Sequence, residues 1–466
     1  MTGIVVVGGG IAGLAAAYEA SASAEVTLLE ASGRVGGKLE TMSFGGMPVE
    51  RGADVFLARV PWGVDLAREV GLGDDLIEPS TSSASLWTRG RLRPLPDGLM
   101  LGVPTNLGSV ARSGVLSIPG VARAGLDLVL PRLRRFGVPD DPSVTEVVAG
   151  RFGSEVAERL VAPLVGGINA GDIDRMSLRS VAPQLADAAA SHRSLLVGLR
   201  AGRSTRGGAA TTPATTGGPL FHSVHGGLSR LASALGQAAS LRGAHLRVGI
   251  GAASVRRAGR RWEVMTSGGE VLDADGVILA TPAPVTAGIL AGVAPSVSAG
   301  LAEIDHASVS LLAVAYERDQ VDHPLDGSGF LVPRVEGRLM TACTWYSSKW
   351  AEDAGEQVVF RISSGRYGDD RHQSMTNGDL TAALLADLVD ALGVRGEPAA
   401  TEVIRWPSSF PQYEPGHASR IDALESDLAQ GSPGLRLAGS AYRGVGIPAC
   451  INSGRAAARA VLDSAP

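Results

Sequence analysis

What most constrains this chain lies at its start. Residues 4–13 read Ile-Val-Val-Val-Gly-Gly-Gly-Ile-Ala-Gly, and the next apolar run, Val26-Thr-Leu-Leu-Glu30, closes on an acid. An apolar strand, a glycine-only turn, a helix of small residues and a second strand ending in a carboxylate together form a dinucleotide-binding βαβ unit. Gly8 permits the tight turn, Gly10 lets backbone amides approach a pyrophosphate, and Gly13 lets a helix over 12–22 pack close to the strand. The helix N-terminus supplies N–H groups and partial positive charge for phosphates. Glu30 is placed to accept hydrogen bonds from the ribose hydroxyls of an adenosine. A lone glycine turn occurs in other α/β proteins, but strand, helix and acid together make the nucleotide reading far more specific.

With 466 residues the chain has room for two or three domains and an ample core. A net charge of -5 and a pI near 6.0, without a long basic stripe, argue against a nucleic-acid partner. Cys343 and Cys450 stand far apart without metal-ligand spacing, so neither a metal site nor a disulfide framework is expected. The first strand begins at Ile4, leaving no room for a targeting segment, and no run of 18 uninterrupted apolar residues appears. A reducing, cytoplasmic location is therefore expected.

Polar-apolar alternation from Lys38 to Glu50 predicts a hairpin turning at Gly45 and Gly46, and a helix follows over 61–71. A second hairpin is predicted over 86–96. From about 105 to 200 the periodicity is helical, with a capping box at Ser143-Val-Thr-Glu146 and helix spacing from Ser154 to Val165. Residues 201–219, rich in Gly, Thr and Pro, read as a mobile surface insertion. Strands return at His245 to Val248, Trp262 to Thr266 and Gly276 to Ala280, then near 309–316 and 357–362, with a helix near 379–392. The tail gives a strand, Leu435 to Gly439, a glycine turn, Tyr442-Arg-Gly-Val-Gly-Ile447, and a helix over 453–462. This ending mirrors the beginning, so both termini are expected in one nucleotide-binding domain with others inserted between.

The set Gly8 to Gly13, Glu30, Arg34-Val-Gly-Gly-Lys38, Glu50-Arg-Gly-Ala-Asp54 and Ala438-Gly-Ser-Ala-Tyr-Arg-Gly-Val-Gly-Ile447 resembles FAD-dependent oxidases of the amine oxidase superfamily. Within it, Leu164 to Asp172, His222 to Leu231, Trp345 to Trp350 and Phe410 to Tyr413 resemble the porphyrinogen oxidases, closest to the bacterial branch that acts on coproporphyrinogen III. The resemblance implies an α/β fold: a discontinuous Rossmann-like FAD-binding domain (1–80, 216–298 and 405–466), an inserted α+β substrate domain (81–98 and 299–404) and a mostly helical domain (99–215). It implies FAD contacts at Gly8, Gly9, Gly10, Ile11, Ala12 and Gly13 on the pyrophosphate and at Glu30 and Ala31 on the adenosine. Lys38, Gly52, Ala53, Asp54 and Val55 would approach the ribityl chain and flavin, and Val255 the adenine. Trp406, Val445, Gly446 and Ile447 would flank the isoalloxazine. Many relatives carry Gly-Asp where this chain has Gly439-Ser440, so one carboxylate contact to the flavin is absent.

A porphyrinogen has four methylene bridges, and its aromatisation removes six electrons. The implied chemistry is therefore three rounds of hydride transfer to FAD, with dioxygen as acceptor and hydrogen peroxide released. No residue stands out as a general base, and the pyrrole nitrogens can handle the protons. His222, His225 and His417 read as packed or capping histidines. Four propionates call for cations at the rim and apolar walls, for which Arg59, Lys349, Arg366 and Arg443, with Trp345 and Ile447 as walls, are candidates; each arginine also reads as a solvated surface charge. Residues 99–137 mix apolar residues with arginines and read as helical packing or as a membrane-resting surface, the former favoured because Pro104, Pro119 and Pro131 interrupt it. Hand-off of the product to a ferrochelatase is a further implied partner. The alternatives are a protoporphyrinogen IX oxidase, an FAD amine oxidase or a porphyrin carrier without catalysis.

Overall fold

The computed structural model describes residues 2–131, 141–205 and 219–464. Its centre is a five-stranded parallel sheet whose neighbours come from distant stretches: His245–Val248, Glu25–Glu30, Gly3–Val7, Gly276–Leu279 and Leu435–Leu437, in that order. The run Ile-Val-Val-Val forms the middle strand because β-branched residues suit extended backbone and both of its faces are covered. Ile4 and Val6 face a core shared with helices Ile11–Ala20, Ser229–Leu241 and Ile447–Ser464. Val5 and Val7 face another, shared with the antiparallel strands Ala252–Ala258, Arg261–Thr266 and Val271–Ala274 and helices Ala283–Leu290, Pro295–Ala302 and His417–Gly431. Period-two alternation decides which layer each side chain builds.

A second sheet has seven strands, ordered Ala400–Pro411, His306–Tyr316, Val358–Ser364, Met340–Trp345, Gly329–Leu331, Ser85–Thr88 and Arg91–Pro94. Leu312, Val314, Trp345, Phe360 and Ile362 pack one face against Leu380, Leu384 and Leu388 of helix Asn377–Leu392. Ala313, Ala315 and Val359 turn the other face toward Phe44, Met47 and Val49 of the hairpin Thr41–Phe44 and Met47–Glu50. That hairpin ties the two sheets together. A third layer is helical, from Leu107–Ser113 to Leu195–Thr205, around Val147, Leu160, Leu185 and Leu196. In it the buried Arg151 donates to Asp127 at 2.5 Å and to the carbonyls of Asp127, Pro131 and Arg193. Ser194 donates to the second oxygen of Asp127, so this buried ion pair carries the extra hydrogen bonds that burial demands.

Several expectations shift. The first helix spans Ile11–Ala20 because Gly10 is its N-cap and Ser21 its C-cap. Only Ser154–Val156 is α-helical in the stretch predicted from Ser154 to Val165; Ala157–Gly166 is a wide π-helix containing Pro163, which has no N–H for a regular turn. Residues 201–205 of the expected insertion complete helix Leu195–Thr205, while 206–218 lie outside the described residues, as do 132–137 of the arginine-rich stretch. Strand His245–Val248 forms with the expected bounds, and after a bend at 249–251 Val255 falls in strand Ala252–Ala258 of a separate sheet. The last helix begins at Ile447 rather than 453. Strand Ala400–Pro411 spans residues 404 and 405, and helix Pro295–Ala302 spans residues 298 and 299.

Candidate functional site

Two glycine turns are built against each other at the carboxyl end of the central strand. Gly8 has φ +104, and its N–H donates to the Leu29 carbonyl at 2.8 Å. Gly9 N–H donates to Glu30 Oε2 at 2.7 Å, and Glu30 Oε1 accepts from Ser32 N–H at 2.8 Å. The acid thus fixes the glycine turn and its own, with lone pairs left for further donors. Gly36 N–H donates to the Gly9 carbonyl at 2.7 Å, and Gly37, at φ +58, brings its backbone onto Gly10. Arg34 cements this turn by donating to the Gly37 carbonyl at 2.8 Å and to Glu40 at 2.5 Å.

Gly10 differs from its neighbours. A Cβ on Gly13 would stand 1.8 Å from the Gly8 carbonyl oxygen and one on Gly9 would stand 2.9 Å from the Glu30 Cβ, whereas one on Gly10 meets no protein atom within 4 Å. Gly10 is also the N-cap of a helix with no side-chain cap and no acid in its first turn. Orphan N–H groups, the positive end of the dipole and a backbone that must stay uncovered fit the phosphates of a dinucleotide. Lys38 lies beyond this turn, half-buried, and its ammonium makes no hydrogen bond or ion pair with any described residue. Burial lowers its pKa, and the nearest titratable groups, Cys450 and His306, do not neutralise it. Burial pushes the Cys450 thiol up to about 11. An unpaired half-buried cation favours a ligand rich in acceptors.

The segment 50–54 is held by the second sheet. Arg361 donates to the carbonyls of Glu50 at 3.1 Å and Gly52 at 2.7 Å, Trp406 Nε1 donates to the Arg51 carbonyl at 2.5 Å, and Glu50 N–H donates to the Tyr346 hydroxyl at 3.1 Å. Gly52 is obligatory, since a Cβ there would stand 2.1 Å from the Lys38 carbonyl oxygen. Lys349 Nζ donates to Asp54 at 2.7 Å, and Arg361 lies 3.4 Å from the same oxygen. Burial alone would raise the Asp54 carboxyl, but these two cations outweigh it and hold it near 2. Glu50 has weaker help. Burial raises it to about 7 although its oxygens accept from Leu228 N–H at 2.6 Å and the Thr41 hydroxyl at 3.0 Å.

The C-terminal turn completes the constellation. Tyr413, stacked on His417 with ring centroids 4.1 Å apart, donates to the Ser440 carbonyl and accepts from Gly444 N–H at 2.9 Å. Burial holds His417 down at about 4, so it is a neutral packed ring, as expected. His222 is half-buried beside Phe56, and His225 is exposed and 3.1 Å from Asp353. Val445 and Gly446 are accessible at the turn, and Ile447 is buried as the helix begins. Val255 lies in the core with Leu29, while the turn before it donates to the Glu30 and Ser32 carbonyls. Ala31 is exposed beside Gly251, and Ala53 and Val55 are half-buried.

An apolar cluster of Ala170, Ala307 and Val309, with Tyr367, Trp406 and Phe410, adjoins this segment through Trp406. Ala170, the C-cap of the short helix Gly167–Asn169 that follows the π-helical stretch, sits in the left-handed region at φ +46, and its carbonyl accepts from Tyr367 N–H at 2.8 Å. A non-glycine residue held in this region stores backbone strain. Reasoning on single residues missed Arg361, Ala170, Val309 and Tyr367; the only signal was the family likeness of the stretches around 164–172 and 410–413.

The substrate candidates scatter. Trp345 packs on the opposite face of its sheet, against His323 and Phe330, so it does not wall the cluster around Trp406. Lys349 is committed to Asp54 and lies over the Trp350 ring. Arg443 pairs with Asp422 and Glu425 of helix His417–Gly431. Arg59 is exposed after strand Phe56–Leu57. Arg366 alone stands beside the apolar cluster, next to Tyr367. Among the described residues no cluster suited to a metal ion occurs, and no helix is long and apolar enough to cross a membrane.

The model of a family described as flavin containing amine oxidoreductase matches residues 11–462. Coproporphyrinogen III oxidase of Bacillus subtilis (strain 168) is 35% identical, over 97% of this chain and 96% of its own. That of Propionibacterium freudenreichii subsp. freudenreichii is also 35% identical, over 99% and 91%. A crystal structure from Exiguobacterium sp. 255-15, named as a protoporphyrinogen oxidase, superposes with a TM-score of 0.87 at 31% identity, over 99% of this chain and 98% of its own.

Proposed function

The chain belongs to the flavin containing amine oxidoreductases, and on that premise we propose that it is an FAD-dependent coproporphyrinogen III oxidase. One observation carries the reading: the two glycine turns at Gly8–Gly10 and Gly36–Gly37 open on an uncovered helix N-terminus, and the neighbouring segment 50–54 is tied through Trp406 to an apolar cluster. The names and full-length coverage of the relatives support the substrate. The five-stranded unit is the FAD-binding domain, the seven-stranded sheet the substrate domain, and the helical layer its third wall.

In this reading Gly8, Gly9, Gly10, Ile11, Ala12 and Gly13 hold the pyrophosphate, Glu30 and Ala31 the adenosine ribose, and the turn before Val255 the adenine edge. Lys38 offers its ammonium toward the ribityl and flavin side, with Gly52 to Val55, and Val445 to Ile447 close the other edge. When bound, FAD accepts the substrate's six electrons two at a time and passes them to dioxygen. The chain's own residues position and exclude water: Arg361 and Trp406 lock the backbone at 50–52, and Val309, Tyr367 and Phe410 supply an apolar face for the macrocycle. No side chain there is placed as a base, which suits a substrate whose pyrrole nitrogens carry the protons. A cytoplasmic location and transfer of the product to a ferrochelatase complete the reading.

The test is a steady-state comparison of purified holoenzyme on coproporphyrinogen III and protoporphyrinogen IX, read by porphyrin fluorescence and peroxide release. Faster turnover of protoporphyrinogen at equal concentration overturns the substrate choice. Peroxide formed from simple amines, with no porphyrinogen oxidised, overturns the class.

A further inference from the structure

Arg366 stands where the chain leaving strand Val358–Ser364 turns toward the helical layer. The turn is fastened at the two residues that follow it. Tyr367 N–H donates to the Ala170 carbonyl, and Arg334 joins Asp172 at 2.9 Å to the Gly368 carbonyl at 3.1 Å. Because Tyr367 packs with Ala170, Val309, Trp406 and Phe410, this turn borders the apolar cluster. Five charges meet here: Arg334, Arg366, Arg371, Asp172 and Asp369. Arg334 takes Asp172, and Arg371 takes both oxygens of Asp369, at 2.7 and 2.8 Å. Arg366 is the surplus cation. Its side chain makes no hydrogen bond or ion pair with any described residue, and its Nε is sealed from solvent without an acceptor.

A guanidinium cannot shed its charge to relieve burial, so one half out of water with no direct partner gains from an arriving anion. The planar fork of N–H groups matches a carboxylate bidentately. We infer that Arg366 receives one propionate carboxylate of the porphyrinogen, setting the macrocycle's position against the Val309, Tyr367 and Phe410 face. The inference rests on the porphyrinogen reading above. Lys349 and Arg443, whose carboxylates are already supplied by the protein, take no part in it.

The experiment is equilibrium titration of wild-type, R366M and R366K holoenzymes with coproporphyrin III and with its tetramethyl ester, read by porphyrin fluorescence. Flavin absorbance checks cofactor loading, and R366Q replaces R366M should the latter fail to fold. R366M is expected to weaken binding of the tetracarboxylate about ten- to hundredfold, as loss of a charge-assisted pair does. R366K recovers part of that loss, and the ester, with no carboxylate to lose, binds all three proteins alike. Unchanged affinity for the tetracarboxylate, or equal weakening of acid and ester, overturns the assignment. Because the readout is binding, a wild type that prefers the tetracarboxylate to its ester yet oxidises no porphyrinogen sinks the proposed activity and leaves Arg366 in place.

Discussion

Gly454 and Ala12 meet backbone to backbone: a Cβ on Gly454 would stand 2.0 Å from the Ala12 carbonyl oxygen. The first helix, whose N-terminus faces the glycine cradle, is thereby pressed against the last helix of the chain. Arg459 reinforces the contact by pairing with Glu19 at 2.6 Å. The two ends of the sequence thus set one surface.

Substituting Gly454→Ala forces those helices apart, and overpacking of this kind costs about 1–3 kcal/mol. The expected result is a lower urea midpoint together with weaker FAD retention, since the cradle moves with its helix. Unchanged values for both would show that the contact is not limiting.

Gly10 and Gly13 separate ligand from fold. Gly10→Val finds open space in the protein and should leave the denaturation midpoint near that of the wild-type apoprotein while abolishing FAD binding. Gly13→Ala drives a methyl into the Gly8 carbonyl and should destabilise the fold itself. Retained flavin in a folded Gly10→Val protein would contradict the placement of the pyrophosphate.

Glu50 makes stability depend on pH in an unusual direction. Its carboxyl rises from 4.5 to about 7 on folding, so between those values the native state holds a proton that the unfolded chain releases. Stability from this group therefore falls as pH rises through that window and is unaffected below it, the full penalty being about 3 kcal/mol above pH 7. Glu50→Gln should be increasingly more stable than wild type as pH rises through that window, in parallel urea titrations. Asp54, lowered from 3.8 to about 2, acts oppositely and only in acid, losing its stabilisation as pH falls through that range. A constant difference between wild type and Glu50→Gln across the neutral range would refute this account.

Lys349→Met leaves the buried Asp54 with only the more distant Arg361, and breaking a buried pair in this way costs about 3–5 kcal/mol. Lower stability and flavin loss are expected, with Asp54→Asn in the same protein recovering much of both. A variant of normal stability with a raised KM for porphyrinogen alone would instead return Lys349 to the substrate rim.

How much of this was legible in the sequence depended on range. Local rules placed the hairpin turning at Gly45 and Gly46 and the capping box at Ser143 and Glu146, both present as expected, because turn and cap chemistry act within four residues. Local rules failed from Ala157 to Gly166, where Pro163, which has no N–H to donate, lies inside a wider helix. They failed also for Trp345 and Lys349: residue type suggested a wall and a cation, but the register of the sheet turns Trp345 to the far face and sets Lys349 against Asp54.

The sequence by itself determined the nucleotide-binding βαβ unit, because a glycine that must adopt φ +104 or admit a neighbouring carbonyl leaves no other residue type possible. It determined the family through motifs at both ends. Only the tertiary structure decided which charges are available to a ligand. Asp54, Lys349 and Arg361 neutralise one another across chain separations that no local pattern encodes, whereas Lys38 and Arg366 have no hydrogen-bond or ion-pair partner among the described residues. Charge is written in the sequence, but pairing falls off within a few ångströms and belongs to the fold.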